Sequence, residues 1–192
     1  MTIIFENVTK VYGTKTVISD FNLSVEDKRV YQITGEAGTG KSTVLMIFLG
    51  EVKPDSGRLS RMGDYKYPTL QSAYVPQQSQ FREKKSAVWH VKKAHRTVST
   101  GRAIEELSFF LPEEKLKIPM SELTGSEKRC VEIVRALCVP ADFIVLDEPF
   151  YSMDDNLQKR ALSYVLDKQG SRPVLIATRN ELPIKDSIIV RL

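Results

Sequence analysis

The stretch of this 192-residue chain that leaves the fold least freedom is GEAGTGKST, Gly35 to Thr43. It follows the apolar stretch Val30–Ile33 and precedes the apolar run Val44–Gly50, so a glycine loop joins a buried strand, Val30–Thr34, to a helix packed on a sheet. Gly35, Gly40, Lys41 and Ser42 fit the spacing G-x-x-x-x-G-K-[ST]. Glycines let backbone N–H groups point inward and approach an anion closely. The following helix presents the positive end of its dipole to the same anion. Lys41 supplies a mobile point charge for β- and γ-phosphates, and the Ser42 hydroxyl can ligate Mg²⁺. The plain alternative is a glycine-rich turn that matches by chance. Such a turn does not require the strand before it and the helix after it, whereas phosphate binding does.

A metal-bound phosphate needs an acid at a second point, and FIVLDE at Phe143–Glu148 supplies one. The apolar run buries the strand, and Asp147 emerges at its carboxyl end, where open α/β sheets bind ligands. Asp147 is placed to hold Mg²⁺ through water, and Glu148 to polarise an attacking water. Two acids capping a strand in solvent are common, but beside a phosphate loop that reading is the weaker one.

The remaining pattern places these motifs in a fold. TIIFENVTKVYG alternates β-branched and aromatic residues into a turn at Gly13, and TKTVISDFNLSVEDKRVYQITG repeats the pattern with a polar turn around Glu26–Arg29. The first third is therefore expected as antiparallel strands feeding Val30–Thr34. KPDSG at Lys53–Gly57 reads as a turn, and SAYVP at Ser72–Pro76 as a short strand. From Gln77 to about Leu123 the chain is polar, carries His90, His95 and Trp89, and suggests a helix at Arg102–Leu111. EKRCVEIVRALCV is an amphipathic helix, LQKRALSYVLDKQG a helix stopped by Gly170, PVLIATRN a buried strand, and DSIIVRL the strand that closes the sheet. Strands alternating with helices predict an α/β fold with a mostly parallel, doubly covered sheet. The expectation is a P-loop NTPase with a RecA-like core, an N-terminal antiparallel β-subdomain and an inserted small helical lobe. It forms one domain over 1–192, with a nucleotide-binding core at 1–76 and 128–192 and the lobe at 77–127.

Composition excludes several classes. The net charge of +4 comes from scattered Lys and Arg rather than a stripe, so no nucleic acid is expected as a partner. The longest apolar stretches are too short to span a bilayer, and the N-terminus shows no secretory pattern. Cys130 and Cys138 fall eight apart on one helix, too far to bridge, and read as reduced core thiols of a cytosolic protein. His90 and His95 fit no metal pattern, and Trp89 reads as packing.

With both motifs placed, the chain resembles the ATP-binding subunit of an ABC transporter over nearly its whole length. Tyr12 in KVYG matches the aromatic that stacks on adenine. Gly35, Gly38, Thr39, Gly40, Lys41, Ser42 and Thr43 match the phosphate loop. YVPQ matches the segment whose glutamine, Gln77, touches Mg²⁺ and the transmembrane partner. LTGSE at Leu123–Glu127 occupies the signature position, where Thr124, Gly125 and Ser126 would meet the other subunit's nucleotide. LDEP then supplies Asp147 for the metal and Glu148 for catalysis. YSMD at Tyr151–Asp154 lies where the family has a dimer-contacting loop, and Arg179 in IATR stands where it has a switch histidine. The resemblance implies ATP and Mg²⁺ as cofactors, and ATP hydrolysis coupled to solute transport. It implies a homodimer or heterodimer of such subunits with a transmembrane permease, on the inner face of a cell membrane.

Two departures carry consequences. The family signature is usually L-S-G-G-Q. Here Ser126 adds a Cβ where backbone must approach a γ-phosphate, and Glu127 brings a negative charge that weakens the site unless Lys128 or Arg129 offsets it. Arg179 can donate hydrogen bonds but stays protonated, so it cannot act as a proton acceptor. Slow turnover is the expectation. Phe150 after DEP, with SAVWHV at Ser86–Val91, resembles importers of the nitrate, sulfonate and taurine type, which implies an extracytoplasmic solute-binding protein. The competing readings are a weakly catalytic regulatory subunit of a heteromeric assembly, a non-transport ABC ATPase, and a P-loop kinase or GTPase. The last lacks an NKxD-like base reader.

Overall fold

The structure, a computed structural model, describes residues 2–62 and 71–192. Of the span 1–76, residues 1 and 63–70 lie outside the described residues. The described chain falls into two units. One contains residues 2–62 and 71–72 with Asp142–Glu148 and Ser171–Leu192. The other contains Ala73–Ala141 and Pro149–Gly170.

The first unit holds two sheets. β1 (Thr2–Tyr12) pairs antiparallel with both β2 (Lys15–Glu26) and β4 (Ser56–Met62), so β1 is the centre of a three-stranded sheet. β4 is an addition to the sequence expectation, which stopped at the KPDSG turn. Polar residues hold it: Glu6 on β1 pairs with Arg58 and accepts from Ser60 Oγ at 2.8 Å. Asp55 anchors the turn before it, accepting from the Val11 amide at 2.6 Å.

β3 (Val30–Thr34), β6 (Phe143–Asp147) and β7 (Val174–Thr178) are parallel and buried at every residue, which is why β6 and β7 read as nearly continuous apolar runs, and β3 as one interrupted by Gln32. β7 lies between β6 and β3, and β8 (Ile188–Arg191) lies beyond β3. Buried Gln32 on β3 locks the chain leading into β8. Its amide nitrogen donates to Leu182 O and Ser187 Oγ, and its oxygen accepts from the Leu182 amide.

α1 (Lys41–Leu49) is apolar nearly all round and ends at Gly50, whose left-handed φ of 81° closes the helix. Phe48 fixes its place. The ring is fully buried, meets Phe143 of β6 edge-on at 4.9 Å, and stacks on Phe5 of β1 at 6.2 Å. One side chain thus ties the helix to both sheets, a burial worth ~2–3 kcal/mol.

The second unit opens at Ala73, within β5 (Ser72–Val75), and is otherwise helical. It contains α2 (Ala87–Ala94), α3 (Thr100–Ser108), α4 (Gly125–Leu137) and α5 (Asp155–Gln169). α3 starts earlier and stops sooner than the sequence suggested, because Ser99 accepts from the Arg102 amide as its N-cap. α4 also begins earlier, at Gly125, for a reason that matters to the site. α3 and α5 are joined through Glu106, which accepts from Tyr164 Oη and Lys168 Nζ at 2.8 Å each. Among the described residues no helix is long and apolar enough to cross a membrane.

Candidate nucleotide-binding site

β3 ends at Thr34 and the chain turns at once. Gly40, the N-cap of α1, has φ of 107°, and a Cβ there would lie 2.9 Å from Val17 O. Gly35 has φ of 155°, and a Cβ there would lie 2.8 Å from both Leu192 O and Thr39 Oγ1. Both positions therefore demand glycine on conformation and on space. Thr39 Oγ1 donates to Glu36 O at 3.0 Å and steadies the loop. Gly40 offers α1 no side-chain cap and the first turn holds no acid, so the positive helix end is left to the loop.

Lys41 is buried, 7 % exposed, and its ammonium sits inside this turn. Nζ donates to Gly35 O at 2.7 Å and to Glu36 O at 3.0 Å, and lies 3.6 Å from Glu148 Oε1. Strand register explains the meeting. Thr34 pairs with Thr178, and Asp147 with Ala177. Three parallel strands therefore release Gly35, Glu148 and Arg179 along one carboxyl edge. Asp147 is buried at the end of β6. Glu148 takes a left-handed φ of 44°, with its amide donating to Ala177 O at 2.9 Å. That conformation costs a non-glycine residue ~1 kcal/mol and is concentrated at functional sites. Nothing in the sequence announced it.

Arg179 is exposed just past β7, in a turn braced by Thr178 Oγ1 donating to Asn180 O at 2.8 Å. Ser42 and Thr43 are half-buried in the first turn of α1. Tyr12 is 49 % exposed at the end of β1, with Lys10 Nζ 5.4 Å from its ring centroid. Tyr12, Gly35–Thr43, Asp147, Glu148 and Arg179 all belong to the first unit.

Gln77 and the 123–127 segment belong to the second unit. Gln77 is exposed in a bend after β5. The segment is the start of α4 and forms a capping box. Thr124 Oγ1 accepts from the Glu127 amide at 3.3 Å, and Glu127 Oε2 accepts from the Thr124 amide at 2.9 Å. Gly125 and Ser126 occupy the first helical turn, with Ser126 Oγ 3.3 Å from Thr124 Oγ1. The other Glu127 oxygen meets Lys115 Nζ at 2.6 Å. Burial opposes the charge on Glu127, but the bonds from Lys115 and the Thr124 amide outweigh it and hold its pKa below the usual carboxylate range.

The cation that offsets Glu127 is thus Lys115. Lys128 is paired with Glu83 at 2.9 Å, and Arg129 is buried. Lys115 lies twelve residues from Glu127 on another element, and no local pattern pointed to it. The T-x-x-E spacing of the capping box was visible in Thr124–Glu127 and is the signal that could have been used.

His90 is buried with Nε2 3.2 Å from Arg82 O, and His95 Nδ1 lies 2.8 Å from Thr97 Oγ1. Among the described residues no group of three or more His, Cys, Asp or Glu could hold a metal. Cys130 and Cys138 are both free and buried.

A glycine loop between a parallel strand and a helix, a buried lysine inside it and an Asp–Glu pair on the next strand but one define a P-loop nucleotide-binding fold. Residues 18–151 match the family model described as ABC transporter. The chain belongs to that family, as an ATP-binding domain. It is 34 % identical over 164 residues to an ABC transporter ATP-binding protein of Azorhizobium caulinodans, covering 77 % of this chain and 57 % of that one. It is 29 % identical over 177 residues to a sulfate/thiosulfate import ATP-binding protein of Synechocystis, covering 86 % and 49 %. The chain thus spans about half the length of these two curated relatives. Its structure matches an ABC transporter ATP-binding protein from Pyrococcus furiosus with a TM-score of 0.87 at 22 % identity, over 100 % of this chain and 98 % of that one.

Proposed function

We propose that this chain binds ATP with Mg²⁺ and hydrolyses it to drive solute transport through a partner permease. The observation that carries the reading is the buried Lys41 ammonium, held by carbonyl oxygens inside a glycine turn at an uncapped helix N-terminus. Those carbonyls stand where phosphate oxygens would compete for the same cation. Amides around Gly38 and Thr39, with those of Gly40 to Thr43, would complete the cradle. Tyr12 would offer its exposed ring to adenine.

Ser42, Asp147 and Gln77 present a hydroxyl, a carboxylate and an amide oxygen, the hard donors that suit Mg²⁺, which also keeps several waters. Bound Mg²⁺ supplies charge neutralisation on the phosphates. Glu148, whose Oε1 lies 3.6 Å from Lys41 Nζ, would orient and deprotonate the attacking water. Arg179 would donate to the γ-phosphate but cannot take up a proton, and Ser126 narrows the approach to a partner's nucleotide, so turnover is slow. Thr124, Gly125 and Ser126 would act across a dimer of ATP-binding subunits.

Import, with an extracytoplasmic solute-binding protein as a further partner, is favoured by the buried Phe150 after Asp-Glu-Pro and by likeness to a sulfate/thiosulfate import protein. The chain would sit at the inner face of the membrane through its permease. A nucleotide core at 1–76 and 128–192 with a lobe at 77–127 remains the proposed organisation. The second reading, a regulatory subunit paired with a more active one, is favoured by Arg179 and Ser126 together.

Lys41→Ala should weaken binding of a fluorescent ATP analogue by at least about tenfold, ~1.4 kcal/mol. Unchanged affinity in that variant overturns the site. Glu148→Gln should form an ATP-dependent dimer by light scattering, and a strictly monomeric result favours the heteromeric reading.

A further inference from the structure

Arg129 lies on α4, just past the 123–127 segment, and is 5 % exposed. Its guanidinium reaches two separate stretches of backbone. Nε donates to Pro149 O at 3.0 Å, and Nη1 donates to Pro76 O and to Ser79 Oγ at 3.3 Å. Pro76 immediately precedes Gln77, and Pro149 immediately follows Glu148. Proline has no amide hydrogen, so at both residues the carbonyl is the only main-chain handle a neighbour can grip. A guanidinium carries several donors in a rigid plane, and one group can hold both handles. An ammonium gathers its donors on one atom, so it cannot reproduce the fork that sets Nε on one carbonyl and Nη1 on the other.

Other cations of α4 follow the same stretch. Arg135 reaches Gln80 O at 3.4 Å, and Lys128 pairs with Glu83 at 2.9 Å. Those contacts are more exposed, and Arg129 is the one that is also tied to Pro149.

We propose that Arg129 is a positioning residue. It fixes the segment carrying Gln77, and the turn after Glu148, relative to the first turn of α4. The proposal rests on the reading that Gln77 and Glu148 serve ATP turnover, and it adds a residue to which that reading gives no role.

The test is Arg129→Lys, which keeps the charge and most of the length. Binding of the fluorescent ATP analogue should stay within about twofold of the parent, because the 35–43 loop is untouched. The maximal rate of hydrolysis should fall at least about tenfold, and half-maximal rate should need more Mg²⁺. Hydrogen exchange should rise at amides 77–81, and not across the chain. Ser79→Ala, which removes one acceptor, should give a smaller change at the same amides. Lys128→Ala should leave both rate and exchange at parental values.

An Arg129→Lys protein with parental rate and parental exchange overturns the proposal. So does a parallel loss of affinity, rate and global protection, which marks Arg129 as a brace for the fold alone. If the parent hydrolyses no ATP, the transport reading falls by itself, and exchange at 77–81 still decides for or against the clamp.

Discussion

Replacing Glu127 with glutamine, the neutral amide usual in the family signature, should cost stability rather than repair a defect. The carboxylate accepts from the Thr124 amide at 2.9 Å and from Lys115 Nζ at 2.6 Å, and its side chain is 19 % exposed. Glutamine can keep the first bond and still close a capping box. It offers Lys115 no charge. A charge-assisted bond is worth ~1.5–3 kcal/mol when shielded, but the Lys115 side chain is 36 % exposed, and water screens the pair to about 1 kcal/mol. In a chain of this length that is ~2–4 °C in Tm. Because the folded pKa of Glu127 is depressed below its ordinary 4.5, this stabilisation is complete above the ordinary value. It is lost as pH falls through the folded value. Thermal unfolding of parent and Glu127→Gln, followed by circular dichroism, should show a gap at pH 7 that closes on the acid side. The carboxylate faces Lys115 and the Thr124 amide, so ATP turnover should change by no more than about threefold, ~0.7 kcal/mol. A Glu127→Gln protein more stable than its parent at pH 7, or one at least about tenfold faster, would refute the argument and return the charge to the nucleotide.

Gly40→Ala and Gly38→Ala should separate space from conformation. A Cβ at Gly40 meets Val17 O at 2.9 Å with φ of 107°, so left-handed strain and overpacking add to about 2–5 kcal/mol. At Gly38, φ is 83° but nothing lies within 4 Å, which leaves strain alone at about 1–2 kcal/mol. Equal losses in urea denaturation would contradict this. Burial pushes the Cys130 thiol up to about 12 and the Cys138 thiol to about 11, so neither is a thiolate at pH 8. Iodoacetamide should modify both in guanidinium and neither in the native protein, and fast labelling of native Cys130 would show that α4 opens.

What the sequence disclosed depended on how far apart the interacting residues stand. β3, β6 and β7 are buried on both faces, so β6 and β7 show as nearly continuous apolar runs and β3 as one broken by Gln32, and their order with α1 dictates where the glycine loop must open. β4 was hidden because Arg58 and Ser60 satisfy Glu6 across the sheet, a pairing that leaves no alternation to read. The turn at Glu148 was hidden because a left-handed φ of 44° belongs to the fold and not to the residue type. Glu127 is the sharpest case. By sign alone, its negative charge is set against a phosphate. At 2.6 Å the nearest charge is Lys115, contributed by a separate 3₁₀ turn, and the carboxylate's other oxygen is spent on the backbone of its own helix. Coulomb energy falls with distance and with screening, so the nearest partner decides what a charge does. At this position, only the fold could say which partner that was.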